Sequence, residues 1–231
     1  MKTVIVHGQS HEGSTCHAAR FLADELGGER QEFFLPRDFG AFCTGCAVCF
    51  MRDEERCPHH DSLKPLVRAL DEADVIILAS PVYVLRATGA MKSFLDHLAY
   101  RFMLHRPSGR MFAKQGVCLA TTAGAGTGAA TRDMAVSMLW WGVGKRYRAG
   151  FAVRAIRWEG VPENVRRRIE RRLRCLAKRI RARIGRVRAS PLVRLTFAVA
   201  RVFRRIMPRD ADREYWEAQG GLGKVRPWRR R

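Results

Sequence analysis

The stretch from Thr3 to Thr15 reads TVIVHGQSHEGST. Its first half is a β-branched run that ends in glycine. Its second half is small and hydroxylic, and leads into a helical spacing of apolar residues at Ala18, Phe21, Leu22 and Leu26, closed by Gly27 and Gly28. A strand that is nearly continuously apolar, rather than alternating, is buried on both faces, as in a parallel sheet covered by helices. Thr3–Gly8 therefore reads as an inner strand and Ser14–Leu26 as the helix that packs back onto it.

The same unit recurs down the chain. Glu32–Leu35 reads as a second strand, and the stretch 40–60 as a cysteine-rich loop. Leu63, Leu66, Val67 and Leu70 make one helical face before a third strand, Asp74–Pro81 (DVIILASP). Gly89–Leu104 is helical, with Met91, Phe94, Leu95 and Leu98 on one side. Gly116–Thr122 (GVCLATT) is a fourth strand, Ala129–Trp141 a helix and Arg148–Ile156 a fifth strand. This alternation predicts an α/β fold, a doubly wound five-stranded parallel sheet with helices on both faces and right-handed crossovers. Ligands in such sheets bind beyond the C-terminal strand ends.

Three strand ends carry suitable residues. After the first come Ser10, Gly13, Ser14 and Thr15, whose backbone N–H groups and hydroxyls, with the positive end of the following helix, suit a phosphate. The loop is neither a Walker A loop nor GxGxxG, and a plainer reading has Ser14 or Thr15 only capping the helix. After the third come Pro81, Val82 and Tyr83, where an aromatic at a strand end can lie along a planar ring. After the fourth come Thr122, Ala123, Gly124 and Gly126, small enough for backbone to approach a ligand closely. Together they describe a phosphate pocket with room for a flat ring. His7, at the first strand's end, could approach that ring or be an ordinary edge histidine. No Ser/His/Asp set or carboxylate pair stands out, and no catalytic side chain is assigned.

Of seven cysteines, Cys43, Cys46, Cys49 and Cys57 follow the spacing C-x2-C-x2-C-x7-C-P. Such a turning loop can ligate an iron–sulfur cube; a tetrahedral zinc site and four plain thiols are the other readings. His59 and His60 adjoin the last cysteine as further ligands or as a solvated loop. Cys16, Cys118 and Cys175 sit on apolar faces and read as core.

Charge divides the 231 residues. Residues 1–150 carry 18 Lys+Arg against 15 Asp+Glu, a net +3, whereas residues 151–231 carry 25 against 7, a net +18 of the total +21. Two units are expected: a sheet domain over 1–187 and a basic helical extension over 188–231. In the first, Val165, Ile169, Leu173, Leu176, Ile180, Ile184 and Val187 form one stripe on an Arg-rich helix. In the second, a helix after Ser190-Pro191 runs to Met207, with Leu192, Leu195, Val199, Val202, Phe203 and Ile206 on one face and Arg194, Arg201, Arg204 and Arg205 on the other. That stripe is expected to dock on the body or on a second subunit; the competing reading lays residues 190–208 on an anionic membrane. Nucleic acid is disfavoured, because the tail has little aromatic interleaving for stacked bases. With no run of 18 uncharged apolar residues and no basic leader before Thr3, the expected location is the cytoplasm, with peripheral contact at the inner face of the membrane under the competing reading.

Gly8–Thr15, Ser80–Tyr83 and Thr88–Asp96 (TGAMKSFLD) together resemble the NADPH-dependent FMN reductase and iron–sulfur flavoprotein group of the flavodoxin-like superfamily, over roughly residues 1–155. Asp212–Gly220 (DREYWEAQG) is similar to the ending of some members. The resemblance implies a flavodoxin-like fold, FMN as cofactor, NAD(P)H as electron donor and a quinone, flavin or metal centre as acceptor. Its alternative is a carrier with a [4Fe-4S] cluster on the four cysteines, coupled to ferredoxin. A rival of another class is a basic membrane- or nucleic-acid-binding protein with an empty flavin site. By resemblance Ser10, Ser14 and Thr15 hold the FMN phosphate, Pro81, Val82 and Tyr83 border the ribityl chain and ring, Thr122 to Gly126 close over the isoalloxazine, and the protein is a homo-oligomer. The chain departs from the pattern in having His11 and Glu12 where an Arg is often found, Ser14 for the usual Asn, and unusual residues at Arg86 and His97.

Overall fold

The computed structural model describes residues 1–229; the last two residues of the basic extension lie outside the described residues. Five strands, β1 (Lys2–His7), β2 (Glu29–Phe34), β3 (Val75–Pro81), β4 (Gln115–Thr122) and β5 (Lys145–Ala152), form one sheet in the order β2-β1-β3-β4-β5. Every pairing is parallel. Among the described residues, eight α-helices accompany them: α1 (Ser14–Leu26), α2 (Val48–Met51), α3 (His60–Glu72), α4 (Gly89–His97), α5 (Thr127–Trp140), α6 (Glu163–Arg181), α7 (Pro191–Ile206) and α8 (Ala211–Ala218).

The continuous apolar strands split by parity between two cores, because successive side chains leave opposite faces of the pleat. Val4, Val6, Ile76, Leu78 and Cys118 pack with α3, α4 and α5. Ile5, Val75, Ile77, Ala79, Val117 and Leu119 pack with α1 and α6. The edge strands differ. β2 (ERQEFF) and β5 (KRYRAGFA) begin with charged residues, which blunts an exposed strand edge against pairing with another chain. Among the described residues, no helix is long and apolar enough to cross a membrane.

Several boundaries move. β5 starts at Lys145 and stops at Ala152, earlier at both ends than the expected Arg148–Ile156. α4 ends at His97 rather than Leu104. A short 3-10 turn over Ala99–Arg101 follows, where the buried Arg101 guanidinium grips both carboxylate oxygens of Asp71 at 2.7 Å; a continuing helix would not hold that fork in place. α6 stops at Arg181; its stripe is buried at Val165, Ile169, Leu173 and Ile180, only partly buried at Leu176, and only partly buried beyond the helix end at Ile184 and Val187. Cys16 and Cys118 are buried as expected, whereas Cys175 is exposed.

The largest correction concerns α7. Its stripe does not dock on the body: Leu192, Leu195, Val199, Val202, Phe203 and Ile206 are between 44% and 72% exposed. Two arginines of the expected polar face are instead buried. Arg201 donates to the carbonyls of Gly221 (2.7 Å) and Val225 (2.6 Å), and Arg204 pairs with Asp210 at 2.9 Å and donates to the Leu104 carbonyl. Only the narrower line Val193, Phe197 and Ala200 enters a core, with Met103, Phe112, Ala189 and Trp216. α8 is tied down nearby. Its buried Asp212 accepts from Arg106 at 2.9 Å and meets His105 at 2.6 Å, while Trp216 Nε1 donates to the His105 carbonyl at 2.6 Å.

Candidate functional site

Strand order places the site. The connections from β1 run outward to β2 on one side, while β3 lies on the other, so a crevice opens beyond the carboxyl ends of β1 and β3. The loop after β1 lies at this point. The backbone of Gly8 is pressed against the β3 end: a Cβ there would sit 2.8 Å from Thr88 Oγ1 and 3.0 Å from Ser80 Oγ. Thr88 donates to the Gly8 carbonyl at 2.6 Å and, as N-cap of α4, also accepts from Met91 N.

At the start of α1, the N-cap is Gly13 and no side chain caps the helix. The plainer reading, in which Ser14 or Thr15 serves as the cap, therefore does not hold. Ser14 Oγ is buried and has no hydrogen-bond partner among the described residues. A buried hydroxyl left unpaired costs about 1–3 kcal/mol, beside N–H groups that favour negative charge. Thr15 Oγ1 instead pairs with Thr121 Oγ1 at 2.6 Å, joining the first loop to the end of β4. Ser10 Oγ donates to the Leu35 carbonyl at 3.1 Å.

The electrostatics of this loop depend on a residue the sequence reading passed over. Arg20, two turns into α1, grips Glu12 with both terminal nitrogens (2.7 and 2.9 Å) and Glu32 through Nε at 2.9 Å. The hydrogen bond to Arg20 holds the Glu12 carboxyl below the usual range. Glu12, an awkward neighbour for an anion, is thus offset by a cation one helix face away. Its signal was the spacing Glu12 to Arg20, i to i+8 across a loop–helix junction, which no local rule flags. His7 is buried, stacked on Phe34 at 4.3 Å and bonded to Glu32 at 2.9 Å, and it lines a small cavity with Gln9, Gly13, Thr15 and Pro81. Burial lowers its pKa despite Glu32.

Beyond β3, the chain makes a tight turn, with Tyr83 and Arg86 exchanging backbone hydrogen bonds at 3.0 and 2.9 Å. Val84 and Leu85 at its apex have φ of 47° and 61°, a left-handed conformation costing L residues roughly 1–2 kcal/mol each. The turn holds out an apolar ledge, with Val84 96% and Leu85 60% exposed. Tyr83 is half-exposed, and its hydroxyl accepts from Gln9 Nε2 at 3.2 Å. The loop after β4 rests under this ledge. Gly126 (φ 98°) has no room for a side chain, since a Cβ would sit 2.8 Å from Val82 Cγ1 and 2.9 Å from Leu85 Cα. Thr122 Oγ1 folds the intervening turn by donating to the Ala125 carbonyl (2.9 Å) and accepting from Gly124 N (3.2 Å). Ser14, Thr15, Pro81, Val82, Tyr83 and the 122–126 turn thus share one end of the sheet. Ser10 lies in the same loop, although its hydroxyl is engaged elsewhere.

The four cysteines of the loop are all free. Cys43 and Cys46 are exposed; Cys49 and Cys57 are half-buried. Burial, and then the neighbouring Cys57, Cys43 and Cys46, raise the Cys49 thiol pKa, so the four are electrostatic neighbours. Cys57 also faces histidines. Cys57, His59 and His97 bring their ligand atoms within 4.8 Å of one another. His97 Nδ1 is 2.8 Å from the Ser93 carbonyl and Nε2 is 2.9 Å from His59 Nδ1. A carbonyl partner on one ring nitrogen orients the other toward a ligand role. His97, read from sequence only as unusual, belongs to this cluster.

The class defined by this architecture is a doubly wound nucleotide-type fold whose β1, β3 and β4 loops converge on one crevice. The chain belongs to the NADPH-dependent FMN reductase family, whose pattern it matches over residues 1–154. It is 41% identical over 86 residues to an iron-sulfur flavoprotein of Archaeoglobus fulgidus, covering 37% of this chain and 36% of that protein. It is 28% identical over 124 residues to an iron-sulfur flavoprotein of Methanosarcina thermophila (52% and 62%) and 26% identical over 129 residues to an NADPH azoreductase of a Bacillus species (55% and 62%). The matches span less than two thirds of the length of these relatives. Among solved structures, an FMN-dependent NADH-azoreductase from Bacillus anthracis shares the fold with a TM-score of 0.59 at 10% identity, covering 78% of this chain and all of that one. An NAD(P)H:quinone oxidoreductase from Methanothermobacter marburgensis does so with a TM-score of 0.55 at 15% identity (78% and 96%).

Proposed function

We propose that this chain is an FMN-dependent NAD(P)H oxidoreductase that hands electrons to a small acceptor, a quinone, a free flavin, an azo compound or a metal centre. The observation that carries the reading is the buried, unpartnered Ser14 Oγ at the uncapped start of α1. A phosphate there would accept from that hydroxyl and from first-turn N–H groups, satisfying donors that the fold leaves open. FMN, when bound, supplies hydride acceptance from a nicotinamide and onward electron delivery.

The chain's own residues do the rest. Gly13, Ser14 and Thr15 hold the phosphate, with Ser10 bracing the loop through Leu35. Pro81, Val82 and Tyr83 line the crevice from the β3 side, and the exposed ledge of Val84 and Leu85 sheds water from an apolar ring. Thr122, Ala123, Gly124 and Gly126 bring backbone close from the β4 side. Replacing Ser14 and Thr15 together with Ala is expected to weaken FMN binding to apoprotein at least about tenfold, or roughly 1.4 kcal/mol, and to lower NADPH oxidation at limiting FMN in parallel. Unchanged affinity would move the phosphate elsewhere.

A second reading adds an iron–sulfur cluster on Cys43, Cys46, Cys49 and Cys57, making the protein a carrier that exchanges electrons with a ferredoxin-type partner. The donor chemistry fits: four free thiols on one loop, of which Cys49 is raised by burial and then by Cys57, Cys43 and Cys46, a cost that bound iron would relieve. The names of the archaeal relatives favour it.

A further inference from the structure

We propose that the outward face of α7 is a docking surface for an anionic lipid membrane, independently of what occupies the crevice. The helix cannot simply roll to bury its apolar stripe. Arg201 and Arg204 are anchored inward on the carbonyls of Gly221, Val225 and Leu104 and on Asp210, and Phe197 is wedged between Phe112 (5.6 Å) and Trp216 (4.9 Å). Rolling would pull both guanidinium groups off these partners and leave the carbonyls of Leu104, Gly221 and Val225 without their donors. The fold thus commits a long line of Leu, Val, Phe and Ile side chains, from Leu192 to Ile206, to the outside, extended by the exposed Met207. Scattered exposed apolar residues are ordinary, but a contiguous run along a whole helix marks an interaction surface.

Charge selects the occupant. Exposed Arg188 and Arg194 lie toward one end of the helix, Arg194 over the Trp228 ring, and exposed Arg205, which donates to the Leu222 carbonyl, lies toward the other; Arg209 beyond it is paired with Glu214 and Glu217. All belong to the segment that carries +18. A second copy docked through the same face would bring its own basic extension against this one, and a polyanion such as nucleic acid would neutralise the arginines while leaving the stripe in water. A lipid surface with anionic headgroups satisfies both: acyl chains take the stripe, and arginine stems reach up to the phosphates. Sixteen residues of helix span roughly 24 Å, and α7 is not a candidate span, so it would lie in the plane of the interface. An acceptor that partitions into lipid, such as a quinone, would be concentrated at that surface.

The test is co-sedimentation of the full chain with vesicles of phosphatidylcholine containing phosphatidylglycerol, against phosphatidylcholine alone, at low and high salt. The variant pair Leu195→Glu and Val202→Glu alters only exposed positions, and circular dichroism checks its fold. The expected result is binding to the anionic vesicles at least about tenfold tighter than to the neutral ones, weakened by salt, and lost in the double variant while FMN binding is unchanged. Three results would overturn the proposal: no binding to anionic vesicles at low salt, equal binding by the folded double variant, or a wild-type dimer that the variant converts to monomer without any affinity for vesicles. The last would assign the stripe to contact between copies.

Discussion

Gly124 and Gly126 lie two residues apart in the turn after β4, and the structure separates their roles sharply enough to test. Alanine at Gly126 must adopt φ of 98° and place a Cβ 2.8 Å from Val82 Cγ1 and 2.9 Å from the Leu85 Cα. The left-handed backbone costs roughly 1–2 kcal/mol. Overpacking against a backbone atom that cannot rotate away costs a further ~1–3 kcal/mol. A sum near 3 kcal/mol lowers the melting temperature of a chain this size by roughly 6–12 °C, unless the turn from Tyr83 to Arg86 lifts to make room. In that case the loss appears in FMN affinity, because the ledge that turn carries is displaced. Gly124→Ala meets nothing within 4 Å and should stay within about 0.5 kcal/mol of wild type. Thermal melts of apoprotein and FMN titrations by fluorescence quenching read both channels. If the two alanine variants behave alike in both, the packing of the β4 loop under the β3 turn has been misjudged.

Asp212→Asn is expected to cost about 1.5–3 kcal/mol in urea unfolding, because it removes the carboxylate that accepts from Arg106 Nε at 2.9 Å and meets His105 at 2.6 Å, while Arg106 keeps Glu54 at 2.7 Å; an effect below about 0.5 kcal/mol would make α8 an ornament rather than a clamp. Lys114 is buried with Nζ donating to the carbonyls of Asp71 and Ala73, and burial pulls its pKa from 10.5 down to about 8. Because its folded pKa is depressed, the unfolded chain binds the extra proton between about 8 and 10.5. Relative to Lys114→Met, the wild type should therefore gain stability as pH rises across that window and lose it as pH falls through about 8; a pH-independent difference between the two denaturation curves would show that Lys114 titrates normally. If the four cysteines hold a cluster, Cys43→Ser strips iron and acid-labile sulfide from anaerobically prepared protein while leaving its FMN, and wild-type protein prepared the same way without either would refute the cluster. Metal that survives Cys43→Ser but is lost in His97→Ala would instead place a single ion on Cys57, His59 and His97.

Much of the fold was legible because the signal was local. TVIVHG and DVIILASP each carry an unbroken apolar run, Val4–Val6 and Val75–Ala79, which a strand covered on both faces accommodates, and each is followed by the helical period that covers it. The candidate crevice was legible for a related reason: residues that end inner strands of a parallel sheet share one edge, so small and hydroxylic residues at three strand ends converge without any knowledge of distance. The pairings that tune the crevice were not legible. Arg20 on Glu12 and Glu32, Gly126 under Leu85 and His97 beside His59 and Cys57 each depend on how loops cross, and no periodicity encodes that.

The clearest division falls in α7. Its sequence alone determines a helix, with Ser190 as N-cap, Pro191 in the first turn and Pro208 after the end, and it determines that apolar and basic residues occupy different sides. It does not determine which side turns inward. Hydrophobicity by itself would bury the wider stripe. The tertiary structure buries the other side, because carbonyls from residues 104, 221 and 225 and the carboxylate of Asp210 together give Arg201 and Arg204 enough hydrogen bonds to leave water. A buried cation is tolerated only where such partners converge, and their convergence here is set by segments that the chain brings together from as far as 100 residues away.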